Sequence, residues 1–169
     1  GFKPTWMVTS VGSDPDILGA LAGSQALLND VYVPSWIEPI QNTKNAYVKQ
    51  MKVIADRAKL PWNFYTYYGI NTAYVLAQAL ESAGPNLTRK GFVEALEENA
   101  SSFRSAAVVP MRFSKSSPQG LTGFYMGQYD AAGNVDRLTK YIMVATSSSS
   151  GKAKKAAYRP AGPTKKLLP

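Results

Sequence analysis

The stretch Trp62-Asn63-Phe64-Tyr65-Thr66-Tyr67-Tyr68-Gly69 places five aromatic residues in seven positions and feeds them directly into a helical pattern. After Gly69 breaks the run, Ala73, Leu76, Ala77 and Leu80 recur at the spacing of one helix face until Gly84-Pro85 stops the chain. So much ring surface beside an apolar helix needs either a core to bury it or a ligand to cover it. Aromatic faces supply contact area and a helix start supplies free backbone N–H groups, so the place suits a small ligand. The plainer expectation is that the rings are core.

A chain of 169 residues fits one domain, or pieces of two, and can bury a substantial core. No apolar run approaches the roughly 20 residues that a membrane span requires. Gly1-Phe2-Lys3-Pro4-Thr5-Trp6-Met7-Val8 is not a signal peptide, because its apolar part is short and no small-residue cleavage site follows; a targeting signal, if there is one, lies upstream. The net charge of +8 invites a nucleic-acid partner, yet six of the positive charges follow Gly151 (Lys152, Lys154, Lys155, Arg159, Lys165 and Lys166) with no acid among them. The remainder is nearly balanced, so the basicity belongs to a tail and no nucleic-acid partner is expected. Cysteine and histidine are both absent. That removes thiol nucleophiles, disulfides, histidine-based acid–base catalysis and the usual zinc sites.

Hydrophobic patterning predicts a short buried strand over residues 5–9. Ser13-Asp14-Pro15-Asp16 then opens a helix, with Asp14 or Ser13 as cap, Ile17, Leu18 and Leu21 as its apolar face and Gly23 as its end. A second strand is predicted over 26–33, followed by a loop that carries Trp36 between Pro34 and Pro39. A long helix is expected over 43–58, with Tyr47, Met51, Ile54 and Ala58 at its apolar positions. Beyond the aromatic run and its helix, Thr88 caps another helix whose face carries Phe92, Val93 and Leu96. The period then changes to two, predicting strands over 109–113 and 123–129 and a hairpin at Ala132-Gly133-Asn134 that leads into a strand over 137–144. Ser147 to Ser150 and the Lys- and Pro-rich remainder read as linker or tail. The early strand–helix order followed by a mostly β end indicates an α/β protein.

Few residues suggest chemistry. Asp14 and Asp16 are explained as helix-start residues, and Asp56 and the Glu94, Glu97, Glu98 group as solvated helix faces. Asn29 and Asp30 interrupt an otherwise apolar stretch; they either point into a cleft at one end of a buried strand or form a turn before it. Neither a GxGxxG nor a GxxxxGK[ST] phosphate loop occurs, so nucleotide binding has no support. No cofactor is indicated, and no nucleophile–base pair supports a hydrolase.

Taken in order, Gly1-Phe2-Lys3-Pro4, the Asp30-Val31-Tyr32 segment, the run from Ile70-Asn71-Thr72-Ala73-Tyr74 through Gln78 to Ala83-Gly84, the Leu87-Thr88-Arg89-Lys90-Gly91-Phe92 helix start, and Met111-Arg112-Phe113-Ser114 with Ser117-Pro118-Gln119-Gly120 resemble the second half of a type I periplasmic substrate-binding protein. The nearest resemblance is to the branched-chain amino-acid receptors of ABC importers, and it covers roughly residues 1–145. Ile70-Asn71 stands where the family usually has Tyr-Asp, and Pro118 where it commonly has His. The resemblance implies portions of two doubly wound α/β lobes completed by an N-terminal half that is not in this chain. Residues 1–42 would belong to the second lobe, 43–122 to the first and 123–146 again to the second, with 147–169 a basic tail.

It also implies a non-enzymatic, periplasmic or extracellular solute-binding component with a small amino-acid-like, aromatic or aliphatic acid ligand. The protein would be lipid-anchored, if at all, through an N-terminus beyond this chain, and its partner would be an ABC permease. Asn29 falls where relatives place an acid for the ligand's ammonium, with Asp30 adjacent; Tyr67, Tyr68 and Gly69 fall where they place side-chain-pocket residues. The alternative is a ligand-sensing domain of a receptor or transcriptional regulator with the same fold.

Overall fold

A computed structural model describes residues 3–10, 14–145 and 152–158. Helix α1 (Pro15–Ala22) begins where Asp14 caps it, its Oδ1 accepting from the N–H groups of Asp16 and Ile17, and ends at Gly23 in the left-handed region. Ser13, the other capping candidate, lies outside the described residues. The predicted apolar face is only partly used. Leu18 packs on Leu28, Val31, Val33 and Tyr129, whereas Ile17 and Leu21 are exposed.

The expected buried strand over 5–9 is instead an exposed extended segment. It joins the sheet by a single parallel bridge between Met7 and Tyr32, and nothing among the described residues covers Trp6 or Met7. The expected strand over 26–33 also shifts. Ser24 caps a short 3-10 turn, Gln25–Leu28, and strand β1 (Tyr32–Ser35) begins only after Asp30 reverses the chain at φ 67°. Pro34 therefore lies within β1 rather than closing it, opposite Met126.

Three helices follow. Helix α2 (Ala46–Arg57) is capped by Asn45, and Tyr47, Val48, Met51 and Ala55 share its buried face. Helix α3 (Phe64–Ala83) starts inside the aromatic run, capped by Asn63, and passes through Gly69 without interruption to Gly84. Gly69 does not break the run because its position faces open space, so the missing side chain weakens the helix without stopping it. Helix α4 (Arg89–Asn99) starts at the predicted cap Thr88; Phe92 and Leu96 pack inward while Val93 is exposed.

Residues 109–113, expected as a strand, have no ladder. Val108, Val109 and Met111 are buried as an irregular segment that bonds Gly120 through the Arg112 N–H. Strand β2 (Gly123–Tyr129) matches its predicted span and pairs antiparallel with β1. The hairpin at Gly133 returns as β3 (Val135–Arg137), breaks at residues 138–140, and resumes as β4 (Tyr141–Ala145). The expected linker or tail contains a further strand, β5 (Ala153–Ala157), paired antiparallel along the whole of β4. Ser147 to Ser150, Arg159, Lys165 and Lys166 lie outside the described residues.

The sheet order is β1-β2-β4-β5 with β3 on β2, so all ladders among the described strands are antiparallel. The result is a mixed α/β molecule with an open sheet. One core joins α2, α3 and residues 36–37 through Tyr47, Met51, Tyr67 and Ile37; another joins α3, α4 and the turn after it through Ala79, Phe92, Leu96, Ala100 and Phe103. Two smaller clusters pack on the sheet.

Candidate functional site

The helix starts of α1 and α3 meet at one carboxylate. Asp14 is 2% exposed; besides capping α1 it accepts from the Phe64 N–H with Oδ2, 3.1 Å away. The next α3 donor in need of a partner, Thr66 N–H, is taken by Asn63. The Phe64 and Thr66 N–H groups at this helix start are therefore already satisfied, and the side chains exposed there are aromatic.

Phe64 stacks on Tyr68 with ring centres 6.0 Å apart and meets Tyr65 edge-on at 5.7 Å. Tyr65 and Tyr68 present 47% and 38% of their surface to solvent. The three rings form a wall rigidly seated on one helix turn, beside the start of α1. Directly beneath lies a cavity of about 30 Å³, lined by Pro15, Phe64, Glu38, Tyr125 and Tyr129 among others. On its other side Tyr68 borders an open apolar trough of about 470 Å³, bounded by Trp36, Val75, Met111, Phe113 and Leu121. The Trp36 indole nitrogen and the Tyr67 hydroxyl are buried without a partner among the described residues.

The predicted site residues separate into three groups. Tyr68 stands in the wall. Tyr67, one position away, points the opposite way; it is fully buried and packs edge-on against Trp62 at 5.5 Å. It packs into the helical core instead of standing in the wall, because helix geometry sends neighbouring side chains to different faces. Gly69 is exposed with open space around it. Asn29 and Asp30 form a turn before β1: both are exposed, the Asn29 amide donates to Asp30 at 2.8 Å, and the Asp30 N–H donates to the Tyr129 carbonyl.

Sequence reasoning missed Tyr65 and Glu38. Glu38 was visible as the single acid in the apolar, proline-rich run from Val33 to Ile40. Asp14 was read as a cap, but its second bond spans fifty residues and leaves no local trace.

Burial raises the hydroxyl pKa values of Tyr47, Tyr67, Tyr125 and Tyr158, keeping all four neutral at physiological pH. Among the described residues no cluster of acids could hold a metal ion, and no helix is long and apolar enough to cross a membrane.

The sequence profile described as periplasmic binding protein matches residues 1–134, which is most of the chain. The chain belongs to the periplasmic binding protein family. Its fold is that of solved members. It superposes on a substrate-binding periplasmic protein from Ralstonia solanacearum with a TM-score of 0.68 and 21% identity, covering 81% of this chain and 39% of that one. A branched-chain amino-acid ABC transporter protein from Thermus thermophilus, solved with bound valine, gives a TM-score of 0.70 and 19% identity, covering 86% and 41%. The chain thus spans about two-fifths of the length of the structures it resembles. Among curated proteins none matches it.

Proposed function

We propose that this chain is the C-terminal part of an extracytoplasmic solute-binding component of an ABC importer. The observation that carries the reading is the exposed aromatic wall of Phe64, Tyr65 and Tyr68, set against the start of α1 by the Asp14 carboxylate. Family membership and the valine-bound neighbour support it.

In this reading residues 1–42 and 123–146 belong to one lobe and 43–122 to the other, and a small amino-acid-like, aromatic or aliphatic acid lodges between them. The wall receives the ligand's apolar side chain, because ring faces bury area without demanding polar partners. Two of the nearby helix-start donors, the Phe64 and Thr66 N–H groups, are already spent on Asp14 and Asn63, and the groups that hold the ligand's carboxylate come from the rest of the polypeptide. Gly69 borders the wall, and Asn29 or Asp30 is the candidate for an ammonium group at the edge of the other lobe.

The apolar trough beside Tyr68 is the face against which the N-terminal half packs. The ABC permease is the partner that receives the loaded protein. Closure around the solute is a population shift, so the ligand must contact both lobes to favour the closed state.

The test is calorimetric titration of the full-length protein with L-valine and with a panel of aromatic and aliphatic acids. Tyr68→Ala should weaken the best binder by about tenfold, since it removes one ring face from the contact. Tyr68→Ala binding as tightly as the parent would remove the wall from the site.

A further inference from the structure

The C-terminal segment 152–158 lies beyond the residues shared with the family, yet it reaches the middle of the molecule. Strand β5 pairs with β4 from Ala153 opposite Ala145 to Ala157 opposite Tyr141. The next residue, Tyr158, packs on the cluster of Val108, Val109, Tyr125 and Ile142, and the Arg137 guanidinium sits 3.7 Å from its ring centre. Its hydroxyl donates to Oε2 of Glu38.

Glu38 is 1% exposed and lies on the passage by which the chain leaves the sheet for the helices. Its other oxygen accepts from the Asn42 amide at 2.5 Å. Its backbone N–H donates to Ala106, and Val108 N–H donates back to Trp36, so the outgoing passage at 36–38 and the returning one at 106–108 are stitched together. A buried carboxylate persists only with partners, and Tyr158 supplies one of the two side-chain donors that Glu38 has among the described residues.

We infer that β5 and Tyr158 form a strap that fastens the two crossing passages between sheet and helices through Glu38, and so sets how easily the two parts of the molecule move relative to each other. The strap stands on these contacts alone; its effect on solute affinity rests on the two-lobe reading above.

Amide hydrogen exchange on the full-length protein tests it with two variants, Tyr158→Phe and a deletion from Lys152 onward. Tyr158→Phe keeps the ring and removes the hydroxyl. Exchange at the Glu38 and Val108 amides should accelerate about tenfold or more in both variants, while the Phe92 amide in α4 stays at the parental rate. Parental exchange at Glu38 and Val108 in both variants overturns the inference, and so does equal acceleration at Phe92, which would mean general loosening. L-valine titration of the same variants separates the two ideas. Altered exchange in a protein that binds no valine keeps the strap, and the panel titration then decides the solute reading on its own.

Discussion

Asn71 is a buried polar residue at the centre of the helical core. Its Oδ1 accepts from the Tyr47 hydroxyl and from the Ala106 N–H, both at 2.7 Å, tying α2, α3 and the returning passage to one atom. Asn71→Ala would leave both donors buried and unpaired, and should cost the full-length protein about 2–4 kcal/mol in urea unfolding. An unchanged midpoint would mean that water reaches them. The buried tyrosines make a second prediction. Their folded pKa values are raised by burial, so their contribution to stability is fully present below the unfolded value of about 10 and is lost as pH rises above it. Stability should therefore hold level from neutral pH to about 10 and then fall, with the buried tyrosines adding their tyrosinate absorbance only as the protein unfolds. Ionisation of Tyr47 near 10 in the folded protein would contradict its burial. The burial of Tyr47 was legible in its apolar position on the predicted helix, but the Asn71 network was not, since Asn71 reads in the sequence only as a polar residue at a helix start. Hydrogen bonds between residues far apart in the chain have no local signature.

Helices were more legible than strands. Asp14, Thr88 and Gly84 mark ends correctly because capping is a contact between near neighbours. Residues 26–33 and 109–113 misled because a short apolar run is compatible with any buried backbone, and tertiary contacts turned one into a 3-10 turn leading to a short strand and the other into an irregular segment. The strand at 153–157 has almost no β-forming residue, and only pairing with β4 makes it a strand. Two glycines test the element boundaries in opposite directions. Gly133 turns the hairpin at φ 78°, and a Cβ there would come 2.9 Å from Pro15, so Gly133→Ala should destabilise by about 1–3 kcal/mol. Gly69 sits in mid-helix facing open space, so Gly69→Ala should stabilise by about 0.5–1 kcal/mol. Thermal unfolding of both variants checks the pair; destabilisation at Gly69 would mean that something else packs there.

At the scale of the molecule, a chain spanning two-fifths of its structural neighbours leaves apolar surface uncovered. Trp6, Met7, Leu21 and Leu27 are all more than 60% exposed, and the trough along α3 is open. Residues 1–169 alone should therefore aggregate or unfold without cooperativity; a soluble monomer with one sharp transition would show that the exposed faces need no cover. The family was legible from the ordered series of segments, whereas the aromatic wall was legible only in part, since one residue's shift along α3 separates the buried Tyr67 from the exposed Tyr68. Capture of a small solute is the central claim, and a thermal-shift screen of the full-length protein against branched-chain amino acids and aromatic and aliphatic acids tests it most directly. At least one should raise the melting temperature progressively with concentration, by the equivalent of about 2.7 kcal/mol at a hundred times its Kd. A flat response across the whole panel would contradict the solute-binding role.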